Sequence, residues 1–154
     1  PKSKELPGNQ VAVHWDLDAA HVLRNMQIKN VPSPILGQYD WPGQYKPYDH
    51  QKTTAAFLTM NRRAFCFSEM GTGKSCSAAW AADYLINIGK IRRVLIICPL
   101  SIMESAWRAD LFKAAMHRSV AVAHGSADKR RAILRSQAEF VIIKITQLAG
   151  QIVS

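Results

Sequence analysis

Ser68-Glu69-Met70-Gly71-Thr72-Gly73-Lys74-Ser75 has residue types and a spacing suited to holding phosphate. Two glycines one residue apart let the backbone turn tightly, so that successive N–H groups converge on one anion. Lys74 follows directly, with an ammonium long enough to reach the β- and γ-phosphates, and the Ser75 hydroxyl is a suitable ligand for Mg²⁺. The chemistry is therefore capture of a nucleoside triphosphate with its magnesium ion. The fuller pattern carries another glycine where this chain has Ser68, so the flanking elements must supply the rest of the case.

Those elements have the right order. The apolar run 63–67 predicts a buried strand entering the loop. Residues 76–88, rich in Ala, Trp and Leu and free of Gly and Pro, predict a helix leaving it, ended near Gly89. Strand, glycine loop and helix together aim a helix N-terminus at a phosphate. The alternation then continues. Residues 94–98 (VLIIC) form an apolar run typical of a parallel strand covered on both faces, stopped by Pro99. A helix is expected over 101–115, with Ile102, Ala106, Ala109 and the Lys113 stem on one side. A short strand over 120–123, a basic helix over 127–136 capped by Ser126 and a strand over 140–145 complete the pattern. The fold class is α/β: four strands in a mostly parallel sheet with helices on both faces, and the strand set of a phosphate-loop domain is incomplete.

The first third differs in character. Residues 16–28 predict a helix, with Leu17, Ala20, Leu23 and the Arg24 stem along one side. Residues 30–48 hold Pro32, Pro34, Pro42 and Pro47 among Tyr39, Trp41, Tyr45 and Tyr48. So many rings argue for aromatic packing on the domain rather than for a solvated linker. A helix over 49–60 then leads toward the first strand. We expect 1–42 to be an extension packed on the core and 43–154 to be the nucleotide-binding unit.

Composition narrows the class. Hydrophobic residues make up 48% of the 154, enough for a real core. No apolar run approaches the 18 residues of a membrane span, and the first residues lack a signal-peptide core. Cys66, Cys76 and Cys98 lie in or beside apolar elements and read as buried free thiols of a reducing compartment, and the five histidines lack zinc-site spacing with them.

Taken together, these motifs resemble the first motor domain of superfamily 2 helicase-like ATPases, and most closely the Snf2-type DNA translocases of phages and bacteria. Pro47-Tyr48-Asp49-His50-Gln51, about twenty residues before the glycine loop, resembles their adenine-recognition glutamine motif. Residues 94–101 with Trp107 resemble motif Ia, and 140–148 resemble a later strand whose loop faces DNA. The match covers roughly residues 43–148. It implies a RecA-like domain that binds ATP through Tyr48, Gln51, Glu69, Met70, Gly71, Thr72, Gly73, Lys74, Ser75 and Cys76. Lys74 and Ser75 would be catalytic, and Ser75 would also hold Mg²⁺. The resemblance further implies that Pro99, Leu100, Ser101 and Thr146 contact the DNA backbone, and it suggests the cytoplasm of a bacterial or phage-infected cell.

Residue chemistry supports part of this independently. Gln51 offers an acceptor and a donor in one plane, matching the N6 donor and N7 acceptor of adenine. Tyr45 and Tyr48 divide evenly between nucleotide contact and packing. A net charge of +9, from 20 basic and 11 acidic residues, favours a polyanionic partner held through phosphates rather than read by base. The basic clusters are Lys90-Arg92-Arg93, Arg108/Lys113/Arg118 and Lys129-Arg130-Arg131-Arg135, the last equally compatible with a solvated helix face.

Such a motor also needs an Asp-Glu pair at the end of a later strand, one to hold Mg²⁺ through water and one to orient the attacking water. After Ser75 the acidic residues are Asp83, Glu104, Asp110, Asp128 and Glu139, and none ends an apolar strand in that order. The expectation is a piece of a motor that lacks its second domain, binds nucleotide weakly, barely hydrolyses it and leaves a sheet edge open to self-association. A strand-separating DNA or RNA helicase shares motifs I and Ia. A non-catalytic binding module is the reading from a different class, and a nucleotide kinase is disfavoured by the glutamine motif.

Overall fold

The computed structural model describes residues 3–8 and 10–146, without the side chain of Glu104. Strands β1 (Ser3–Leu6) and β2 (Gln10–Val13) pair antiparallel as an exposed hairpin. Residues 3–13 carry no element in the sequence reading, because exposed strands leave no buried periodicity to detect. Helix α1 (Leu17–Asn25) is capped by Asp16, whose Oδ1 accepts from the Ala19 N–H at 2.7 Å. That bond chiefly holds the Asp16 carboxyl below its ordinary range. A short turn, α2 (Ile35–Gln38), precedes α3 (Asp49–Met60) and α4 (Lys74–Asn87).

Three strands form the main sheet: β3 (Val94–Cys98), β4 (Val120–Ala123) and β5 (Phe140–Lys144), in the order β3-β5-β4 and all parallel. Register pairs Val94 and Val120 with Phe140. One face of the sheet, with Ile96, Cys98, Phe140 and Ile142, joins the principal core with Trp80 and Tyr84 of α4. The other face, with Val141, Ile143 and Ala123, packs against Ile133 and Leu134 of α7 (Ala127–Arg135). Helices therefore cover both faces of β5, whereas the two-sided cover expected of 94–98 does not hold: β3 is an edge strand whose Leu95 and Ile97 stay 49% and 43% exposed. Ser126 caps α7 through the Lys129 N–H at 3.4 Å.

Further expectations are corrected. Residues 63–67 form no strand; they run irregularly and exposed, with Phe65 83% and Phe67 93% accessible. The main sheet thus has three strands, and none of them feeds the glycine loop. A lone apolar run becomes a strand only where a neighbouring strand takes up its backbone groups. Cys66, within this run, is exposed rather than buried. The helix over 101–115 is composite: α5 (Leu100–Ile102), a π-helical segment Met103–Arg108, and α6 (Ala109–Ala115). Its wider turns rotate Met103, Leu111, Ala114 and Ala115 into the core, whereas Ile102 is 38% exposed.

The proline-aromatic segment joins the core through two of its rings. Tyr39 and Trp41 are buried and edge-on to Tyr84 and Trp80, at 5.8 and 5.9 Å between centroids. Trp80 Nε1 donates to the Pro42 carbonyl at 2.9 Å. Tyr45 and Tyr48 remain exposed.

Candidate functional site

The glycine loop enters α4 through Gly73, whose φ of 74° and ψ of 33° lie in the left-handed region. Two constraints act on that position. A side chain there is strained by φ, and a Cβ would stand 2.1 Å from Gln51 Nε2. Thr72 Oγ1 donates to the Glu69 carbonyl at 2.9 Å and closes the turn. Lys74 Nζ folds back across the loop and donates to the carbonyls of Ser68 (2.8 Å) and Glu69 (2.6 Å). The loop residues Glu69, Met70 and Gly71 are exposed, and Ser75 is half-buried in the first turn of α4.

Helix α3 holds this loop from the side. Gln51 Oε1 accepts from the Tyr48 N–H at 3.0 Å, and its Nε2 donates to the Thr72 carbonyl at 3.3 Å. The amide thus ties the start of α3 to the loop, using one of its two lone pairs and one of its two N–H groups. The remaining pair is the acceptor and donor set that suits an adenine edge. His50 Nε2 lies 3.2 Å from the same Thr72 carbonyl, and its ring stacks on Tyr48 at 5.7 Å and 10°. Tyr48 is 72% exposed, so a flat ring pair stands beside the loop. Cys76 turns the other way, its Sγ 3.9 Å from the Asp110 carbonyl; burial first, then the nearby Asp110 charge, pushes its thiol upward.

The second group of expected site residues collects at the carboxyl edge of the parallel sheet. Cys98 of β3 is in register with Lys144 of β5, so Pro99, Leu100 and Ser101 leave the sheet on the same edge as Thr146. All four are exposed. Ala123 of β4, paired with Ile143, brings the 124–126 loop to that edge too. Ligands of open parallel sheets gather at this edge. Leu148 and the 149–154 tail lie outside the described residues.

Much of the basic charge has structural work. Lys90 pairs with Asp18 at 2.6 Å, and Arg93 donates to the Leu134 and Ala138 carbonyls at the end of α7. Arg118 is largely shielded between Asp83 and Glu139. Lys129, Arg131 and Arg135 stay exposed on α7, Arg131 within 3.6 Å of Asp128.

Two features escape the sequence reading. His50 is indistinguishable there from any residue in the first turn of a helix. The other is a buried network around Asp83, which is fully inaccessible. It accepts from Tyr39 Oη (2.5 Å) and Arg118 Nε (2.5 Å) and lies 2.8 Å from His117 Nε2. Arg118 also contacts Asn87 and Glu139. Burial, then the Asp83 bond, drives the Tyr39 phenol far above its ordinary range. Glu139 immediately precedes β5, at the edge opposite the ligand edge, and Asp83 is committed to packing. Neither stands where a hydrolytic carboxylate of the expected kind belongs.

Among the described residues, no helix is long and apolar enough to cross a membrane. No family model and no curated protein matches the chain. Among solved structures, the chain is similar to the SWI2/SNF2 ATPase core of Sulfolobus solfataricus in complex with dsDNA, with a TM-score of 0.60 and 22% identity. The similarity covers 70% of this chain and 23% of that one, so the chain spans under a quarter of its neighbour's length. At this identity the likeness concerns the fold: the chain has the fold of part of a SWI2/SNF2-type ATPase core.

Proposed function

We propose that this chain is the ATP-binding N-terminal part of a DNA-dependent ATPase that translocates on or remodels DNA. The observation carrying the proposal is the left-handed glycine loop that opens α4 at Lys74 and is tied to α3 through Gln51. Its residues fit a nucleotide. The bare Cα of Gly73 leaves room at the loop, Lys74 brings an ammonium onto it, and Gln51 keeps an acceptor and a donor for a base. Mg-ATP would be held by the backbone of 69–76, Lys74 and Ser75, with Gln51 at the adenine and Tyr48 beside it. Bound there, it supplies the phosphoanhydride whose hydrolysis drives motion in a motor of this kind.

DNA contact is assigned to Pro99–Ser101 and Thr146, at the carboxyl edge of adjacent strands, through exposed N–H and hydroxyl groups that donate to phosphate oxygens. In this reading 1–42 is a packed extension, 43–154 is part of the first motor domain, and a second motor domain completes the cleft. A bacterial or phage-infected cell's reducing interior suits its three free thiols. The SWI2/SNF2 neighbour was solved on dsDNA, which favours duplex as the track.

The test is calorimetric titration of the chain with Mg-ATP beside Lys74→Ala. Saturable binding in the wild type that disappears in the variant supports the reading, since the ammonium is the loop's one full positive charge. Equal heats from both proteins reject it.

A further inference from the structure

We propose that His50 is a positioning residue for the phosphate loop, acting through the Thr72 carbonyl; the proposal rests on the nucleotide-binding reading above. The observation is a double hold on one oxygen. Gln51 Nε2 donates to the Thr72 carbonyl at 3.3 Å and His50 Nε2 stands 3.2 Å from it. A carbonyl oxygen accepts and has two lone pairs, so two donors saturate it. The His50 ring must therefore carry its hydrogen on Nε2, and its stacking on Tyr48 keeps the ring in the plane that reaches Thr72.

The consequence falls on the next residue. The peptide joining Thr72 to Gly73 is planar and trans, so its N–H points away from its C=O. Pinning the carbonyl toward α3 turns the Gly73 N–H away from α3. That amide lies one residue before the helix start, among the donors that a bound phosphate draws on. Gly73 sits at φ 74°, and because glycine adopts either sign of φ with similar ease, its N–H has no fixed direction unless something holds it. His50 and Gln51 supply that hold, so an anion meets a donor already aimed. Gln51 has a second task at the base, whereas His50 has only the loop and the Tyr48 ring.

Orientation of a loop amide matters to every phosphate ligand, and stacking matters only to ligands with a base. The experiment compares ATP, GTP and inorganic tripolyphosphate on the wild type, His50→Ala, His50→Phe and His50→Gln. Loss of one net hydrogen bond is expected to weaken all three ligands by about two- to tenfold in the Ala and Phe variants. Phe keeps the ring without the donor, and Gln restores a donor at a similar reach, so Gln should recover wild-type affinity. Unchanged tripolyphosphate binding in His50→Ala overturns the proposal, as does a loss confined to ATP and GTP, or a Gln variant as weak as Ala. Nitrogen-15 spectra of the histidines in the ligand-free wild type give a second reading. A His50 ring with hydrogen on Nε2 supports the role; a neutral ring with hydrogen on Nδ1 overturns it and leaves the phosphate-loop reading standing. A wild type that binds no tripolyphosphate and no ATP overturns that parent reading, and the positioning role falls with it.

Discussion

In the proposed function, Lys74 is a phosphate-binding residue held at rest on its own loop. Its ammonium is satisfied by two loop carbonyls, at 2.8 and 2.6 Å, so it avoids an unpaired charge while staying on the loop. Phosphate binding exchanges those neutral acceptors for charged ones, which make stronger hydrogen bonds. Gly73 is the least replaceable residue nearby, because its left-handed φ strains any side chain and a Cβ there would also push the Gln51 amide off the loop. Gly73→Ala is expected to abolish ATP binding in calorimetry while far-UV circular dichroism stays native. Gln51 has a local role at Tyr48 and Thr72 and, in the proposed function, a ligand role at the base. Gln51→Ala should lower affinity for ATP and GTP together by loosening the loop, and should also narrow the ratio between them. Competition titrations separate the two effects, and an unchanged ratio rejects the adenine contact.

At the scale of elements, the chain is held by close approaches between segments distant in sequence. Gly43 has φ 124°, and a Cβ there would lie 2.1 Å from the Lys113 carbonyl. The Gln44 N–H donates to that same carbonyl at 2.9 Å. The backbone of 41–44 therefore lies directly on the end of α6, and only glycine permits it. Gly43→Ala is expected to cost about 1–3 kcal/mol by forcing these segments apart, read as a lower midpoint in thermal or urea unfolding. The cap of α1 is a milder case. Asp16→Ala should cost about 1 kcal/mol, seen as a small fall in the same midpoint.

For the whole molecule, the Asp83 network joins the proline-aromatic segment, α4, the end of α6 and the start of β5 around one buried carboxylate. Removing the carboxylate takes the acceptor from Tyr39, His117 and Arg118 at once. Asp83→Ala is expected to destabilise by about 1–3 kcal/mol, since the buried Tyr39 hydroxyl loses its acceptor while Arg118 keeps Glu139, and chemical denaturation reads this directly. Acid acts on the same network through Glu139. Burial works to raise its pKa, but the Ser119 N–H and Arg118 outweigh burial and hold the carboxyl below its ordinary 4.5. A depressed folded pKa contributes stability that is full above the unfolded value and is lost as pH falls through the folded one. Thermal midpoints should therefore decline below about pH 4.5, less steeply in Glu139→Gln. The proposed DNA binding would also be a whole-molecule property. With Lys90, Arg93 and Arg118 committed internally, exposed cations on α7 and the donors at the carboxyl edge carry it, and affinity should fall steeply with salt. A flat salt response in fluorescence anisotropy would argue against phosphate contact.

Local pattern alone determined the glycine-rich spacing, the helix over 49–60, the helix expected over 76–88 and found at Lys74–Asn87, the three apolar strands and their parallel alternation. Glycine spacing, helix caps and apolar runs act over a few residues and need no distant partner. Tertiary structure decided whatever depends on a neighbour. Residues 63–67 have the composition of a strand, yet no strand among the described residues pairs with them, so their backbone remains irregular. The π-helical turn reassigned which side of 101–115 is buried, because insertion against α4 and the sheet outweighs the ideal 3.6-residue period. The cation count suggested three basic patches, but ion pairs with Asp18, Asp83 and Glu139 turned parts of two of them into structural supports. His50 meets Thr72 only because α3 packs beside α4, twenty-two residues apart in the chain. Contacts across such separations have no signature in a single sequence, since either partner alone looks like an ordinary surface residue.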